Sequence, residues 1–103
     1  MTDTTVKVDE DLKDLILGFL ENRRKDAAAL REALAREHFD SAREIGHGLK
    51  GAGGGYGFDH ISELGREIEI AGRDKKAGEL GRLIDELAVY LDKVKVVFVP
   101  VDE

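Results

Sequence analysis

Seven of the chain's 12 glycines crowd around one histidine, in the run Gly46-His-Gly-Leu-Lys-Gly-Ala-Gly-Gly-Gly-Tyr-Gly57. In a helix interior each glycine costs about 1 kcal/mol relative to alanine, so several together need a reason. Steric access supplies one. Helical side chains lean toward the N-terminus, so those at i+4 and i+7 overhang residue i. For His47 these positions are Gly51 and Gly54, and Gly48 clears the flank. Lys50, three residues on and on the same face, can donate hydrogen bonds to a negative group carried by the ring. A free imidazole is largely neutral at pH 7 and is a competent nucleophile. These are the parts of a phosphoryl acceptor, a chemistry that asks the protein mainly for positioning and charge neutralisation. Nothing in the sequence reads as a magnesium site, so no cofactor of the chain's own is expected and the metal would come from a partner.

A lone helix histidine is more often a solvated surface residue, and His38 and His60, which lack such neighbours, read as a connector and a surface position. Arg43 and Glu44, one turn before His47, read as surface charges. Other patterns weigh less. Gly46-x-Gly48-x-x-Gly51 matches the dinucleotide fingerprint in letters, but Ser41–Ile45 does not read as the strand that motif requires. No P-loop is present. Glu44-x-x-His47 is half of a ferritin-like di-iron motif, and the second half is missing.

The elements that must hold this site follow from apolar spacing. Leu12, Leu15, Ile16, Phe19, Leu20, Leu30 and Leu34 fall at helical intervals, predicting one helix over about 9–36 with Asp9 as N-cap. Ser41 and Glu44 have capping-box spacing for a second helix, whose inward face would carry Phe39, Ala42, Ile45, Gly46, Leu49 and Gly53. Gly54–Gly57 should end it, with Tyr56 and Phe58 closing the end of the core. A third helix places Ile61, Leu64, Ile68 and Ala71 inward and stops near Gly72-Arg-Asp74. Asp74 could cap a fourth, striped by Ala77, Leu80, Leu83, Ile84, Leu87, Leu91 and Val94. The expected architecture is all-α, an antiparallel up-and-down four-helix bundle over 9–95, with tails at 1–8 and 96–103. The second tail reads either as a helix end or as an extended segment packed on the bundle.

Composition narrows the function classes. A chain of 103 residues makes one domain, and the absence of cysteine excludes disulfides and thiolate metal sites. With 22 acidic against 16 basic residues and few aromatics, nucleic acid is a poor partner. Neither a signal-peptide pattern nor a membrane-length apolar run is present, so a cytoplasmic location is expected.

His47-Gly-Leu-Lys-Gly51, followed by Gly57, Ile61 and Leu64, resembles the signature of the histidine phosphotransfer (HPt) domain: His-x-x-Lys-Gly, five residues, Gly, three residues, an aliphatic. The resemblance spans nearly the whole chain, from Leu12–Leu20 to Leu80–Val94. It implies that Nε2 of His47 exchanges phosphate with aspartates of receiver domains, that Lys50 steadies the phosphate, and that Gly51 keeps the approach open. It also implies that Glu69 orients the imidazole through Nδ1. The departures are Gly48 and Gly55, where larger residues are common, and Gly46, where alanine is usual. The implied protein is a monomeric covalent carrier rather than an enzyme. Its partners would be response-regulator receivers and a hybrid kinase, with Arg43 and Lys50 setting docking orientation and on-rate. Two rivals share the motif: the amino-terminal phosphotransfer domain of a chemotaxis-type kinase, and a bundle that docks on receivers without being phosphorylated.

Overall fold

The computed structural model describes residues 5–100, and four helices account for most of them: α1 (Lys13–Ala35), α2 (Phe39–Gly55), α3 (Asp59–Arg73) and α4 (Ala77–Lys93). Each helix packs on the next and α4 packs back on α1, which closes the antiparallel four-helix bundle. The apolar stripes meet in one core. Ile16, Phe19, Leu20 and Leu30 of α1 face Ala42 and Leu49 of α2, Ile61, Leu64 and Ile68 of α3, and Leu80, Leu83, Ile84, Leu87 and Leu91 of α4, all buried. Full burial of such side chains stabilises by about 1.5–3 kcal/mol each, the main force holding the helices together. Phe58 is fully buried and stacks on Phe19 at 5.2 Å, while Tyr56 stays partly exposed and lies against the same ring.

Some element ends differ from the periodicity reading. Asp9 makes no side-chain cap bond; it ends a strand, and a 3-10 turn at Glu10–Leu12 precedes α1. Leu12 and Leu15 therefore lie outside the buried stripe, at 42% and 51% exposure, and Ala77 is also exposed, whereas Tyr90 is buried. The second helix begins at Phe39, so Ser41 lies inside it, and Asp74 accepts hydrogen bonds from Arg73 instead of capping α4. The reason is common to all three connections. Each has three residues, with the middle one left-handed (Glu37 at φ 56°, Gly57 at 82°, Lys75 at 56°). In each, the third residue donates its N–H back to the preceding helix, as His38 to Ala33, Phe58 to Gly53 and Lys76 to Ala71, at 2.8–2.9 Å. The same residue's carbonyl then accepts the first bond of the next helix. These are Schellman closures, in which the backbone itself occupies the free carbonyls and no capping side chain is needed.

The segments expected as tails are ordered where they are described. Strand β1 (Thr5–Asp9) pairs in parallel with β2 (Lys95–Val99), Thr5 opposite Lys95 and Asp9 opposite Val99. Alternation turns Val6, Val8, Val96 and Phe98 toward the bundle and leaves Lys7 and Val97 outside. Residues 1–4 and 101–103 of those segments lie outside the described residues.

One contact in the bundle is closer than the others. Along α2 and α3 the backbones touch at Gly46 and Gly53 of the first and Gly65 and Gly72 of the second. A Cβ on Gly46 would stand 2.6 Å from the Glu69 nitrogen, one on Gly53 2.6 Å from the Ser62 nitrogen, and one on Gly72 2.8 Å from the Arg43 nitrogen. On Gly65 it would overlap the Lys50 nitrogen. Both pairs are spaced by two helix turns, which lines them up along one seam. Gly65→Ala should therefore destabilise the protein by at least about 1–3 kcal/mol through overpacking against backbone. Gly48→Ala, with open space around it, should instead stabilise by about 0.5–1 kcal/mol. Urea denaturation of the two variants, read by far-ultraviolet circular dichroism, should give midpoints shifted in opposite directions.

Candidate functional site

His47 lies in the middle of α2, one residue after the seam glycine Gly46. Its side chain is 69% exposed. Glu69 lies on α3, and Gly46 packs against its backbone nitrogen. The close approach of the two helices thus sets the carboxylate beside the ring: Oε2 of Glu69 is 3.0 Å from Nδ1 of His47. The other oxygen, Oε1, is 3.0 Å from the Lys50 ammonium. One carboxylate therefore holds both residues of the sequence motif, and the residue pairs at i+3 on α2 are tied together through α3.

The arrangement defines the tautomer of the neutral ring. An ionised carboxylate can only accept hydrogen bonds, so Nδ1 donates, and in the neutral ring Nε2 is the nitrogen with the lone pair. No other hydrogen bond to the ring is present among the described residues. Glu69 is kept ionised by the hydrogen bond from Lys50 first, opposed in part by desolvation, with a smaller contribution from His47, so its carboxyl titrates below its ordinary value. A second bond crosses the seam nearby, from the Ser62 hydroxyl to the Lys50 carbonyl at 2.7 Å, and fixes the turn of helix that carries the lysine.

Around the ring the helix surface is bare. A Cβ on Gly48 or Gly51 would meet nothing within 4 Å, and one on Gly54 only the Ser62 hydroxyl at 3.7 Å. All three glycines are exposed, while Gly46 and Gly53 turn inward. Asp40, Arg43, Glu44, His47 and Glu69 line an open groove of about 570 Å³. All five lining side chains are charged or polar and the groove is open, which suits the approach of another macromolecule better than enclosure of a small molecule. Glu44 does not join His47 in a ligand cluster: no three histidine, cysteine or carboxylate side chains among the described residues are arranged to hold a metal.

The structure thus brings together His47, Lys50 and Glu69 and leaves Gly48, Gly51 and Gly54 open. His38 sits apart as the residue preceding α2, and His60 packs its ring on Tyr90 at 4.8 Å. The periodicity took Gly72 only as a helix stop and gave no role to Gly65 and Ser62, whose contributions are backbone proximity and one hydrogen bond. The seven-residue spacing of Gly65 and Gly72, matching that of Gly46 and Gly53, was the available signal.

The family model for the Hpt domain matches residues 14–96, from the first turn of α1 into β2. No curated protein and no solved structure matches the chain. With most of its length covered by that one model, the chain belongs to the Hpt domain family, whose role is histidine phosphotransfer in phosphorelays.

A titration checks the carboxylate's part. Because Glu69 ionises below its ordinary value in the folded protein, its pairing with Lys50 and His47 is complete above that ordinary value. The contribution is lost only as pH falls through the lowered one. The Glu69 side-chain carboxyl carbon, followed by NMR, should show a midpoint below 4.5, and Lys50→Met should move that midpoint upward.

Proposed function

We propose that this Hpt domain is a phosphorelay intermediate in which His47 receives phosphate from the aspartyl phosphate of one receiver domain and passes it to the aspartate of another. The observation that carries the reading is the Glu69 carboxylate, bonded at 3.0 Å to Nδ1 of an imidazole that is otherwise exposed. In the forward step the Nε2 lone pair attacks phosphorus, an N–P bond forms, and the P–O bond to the donor aspartate breaks, releasing its carboxylate. The ring gains positive character as it gives up its lone pair. Glu69, facing the Nδ1 proton, stabilises that charge and holds the reactive tautomer, acting as a positioning residue.

Lys50 supports the same step from the other side. In the resting protein its ammonium rests on Glu69. Its long stem allows it to turn toward phosphoryl oxygens on Nε2, and the charge left on Glu69 is then shared with the more cationic ring. Gly48, Gly51 and Gly54 leave room for a receiver's loops to bring the aspartate in line. Magnesium, where the reaction uses it, would be held by the partner's oxygen ligands. The chain acts as a carrier without kinase activity of its own, works as a monomer, and draws its phosphate from a receiver such as that of a hybrid kinase. No helix among the described residues is long and apolar enough to cross a membrane, and a cytoplasmic site of action fits the reading.

Incubation with phosphorylated receiver domains of the same genome should place acid-labile, base-stable phosphate on the chain. His47→Gln should accept none while keeping the wild-type fold. Lys50→Ala should slow transfer about 10- to 100-fold, the worth of one charge-assisted hydrogen bond. Failure of every receiver to load His47 would overturn the reading; loading only by an ATP-dependent kinase domain would assign the chain to the amino-terminal module of a chemotaxis-type kinase.

A further inference from the structure

The arginines divide into two groups. Six of the eight are paired with a carboxylate: Arg23 with Asp26, Arg24 with Glu21, Arg31 with Asp85, Arg36 with Glu32, Arg73 with Asp74 and Arg82 with Glu79. Arg43 and Arg66 have no ion-pair or hydrogen-bond partner among the described residues. The two are separated by 23 positions in sequence, yet the α2–α3 seam sets them on the same groove. That groove, of about 230 Å³, is lined by Arg43 and Lys50 of α2 and by Arg66, Glu69, Ile70 and Arg73 of α3. Arg43 and Lys50 lie seven residues apart, as do Arg66 and Arg73. They form two rows of cations, each spanning about 10 Å along its helix. Glu69, already engaged with His47, and Ile70, an apolar side chain left 38% exposed, line the α3 side of the groove.

We propose that this strip is the docking determinant for the partner protein, and that it selects partners whose phosphorylatable site is rimmed by carboxylates. The proposal rests on the phosphorelay reading and adds what the partner's surface must look like. A site that carries an acceptor aspartate and holds magnesium through oxygen ligands is rich in carboxylates. The present chain has six more negative than positive charges, so an acidic partner is repelled by most of its surface. Beside His47, attraction comes from the four cations of the seam. Repulsion elsewhere and attraction here turn an encounter toward the one orientation in which the acceptor aspartate faces Nε2. Two rows of cations beside an exposed isoleucine match an extended acidic protein face. A nucleotide's phosphates would call for donors converging on one point.

The test measures binding, separately from transfer. The full chain, the double variant Arg43→Glu/Arg66→Glu and the charge-keeping Arg43→Lys/Arg66→Lys are titrated against purified receiver domains at about 50 and about 300 mM salt. Both side chains are exposed, and Arg66→Gln alone serves as a milder variant should the double reversal disturb folding. The wild type should bind at least one receiver, more weakly at the higher salt. The reversal should weaken low-salt binding about 10- to 100-fold and flatten the salt dependence, and the lysine pair should restore most of it. Equal binding by wild type and double variant, absence of binding to any receiver, or salt-independent binding would each overturn the proposal. So would ATP binding to the wild type that the same reversal abolishes, which would assign the strip to a nucleotide. Arginine-dependent docking without phosphate reaching His47 would uphold the strip and overturn the relay reading. Unimpaired phosphate transfer and docking in the reversed chain would overturn the strip and leave the relay intact.

Discussion

The constraint on which the rest of the structure depends is backbone contact between α2 and α3. At Gly46, Gly53, Gly65 and Gly72 there is no room for a single added carbon. Two helices ordinarily pack 8–10 Å apart because side chains fill the space between them. Here the side chains are absent at four points, and the backbones close the gap themselves. The functional geometry follows from this. Gly46 packs against the backbone of Glu69 and Gly65 against that of Lys50, so the residues that surround the imidazole are positioned by main-chain contact before any side-chain bond forms. A chain that needed only stability would use alanine or leucine at such positions, since each glycine weakens its helix.

The electrostatics built on that seam are economical. One carboxylate at 23% exposure faces two donors, a ring nitrogen and an ammonium, one on each oxygen. It selects the tautomer of the ring, and it parks the lysine one turn away. The balance is easily redistributed, because all three groups remain in contact with water. An exposed triad of this kind adds little to folding stability. Its value lies in orientation: the carboxylate fixes which ring nitrogen donates, and in the proposed reaction the counter-charges a phosphate needs are already in place.

The same preference for backbone over side chain governs the ends of the helices. All three connections are three-residue Schellman closures, and two place non-glycine residues in the left-handed region, Glu37 and Lys75. A left-handed residue other than glycine is uncommon, and each costs on the order of 1 kcal/mol. The short loops keep neighbouring helices antiparallel and in register, which is what brings Glu69 level with His47. Capping signals at Asp9, Ser41 and Asp74 misdirected the reading of helix ends because no side-chain cap is used there. The strand pair was likewise hidden, although Thr5-Val-Lys-Val-Asp9 alternates, because five residues of alternation carry no information about a partner 90 positions away.

By itself the sequence determined the four helices, most of the core stripes and the placing of His47 and Lys50 on one face of one helix, the basis of the phosphoryl-acceptor proposal. These rest on spacings of three, four and seven residues within one helix, which helical geometry converts directly into shared faces. The glycines at 51 and 54 were informative for the same reason. Only the tertiary structure decided that Glu69 reaches both His47 and Lys50. It likewise decided that Gly65 and Gly72 are required by close approach, that Arg43 and Arg66 share a groove, and that the chain's two ends pair as strands. Each of these depends on distances between residues on different elements. Such distances are set by how closely the helix backbones approach and by the exact length of the turns, and no periodicity within a single segment records them.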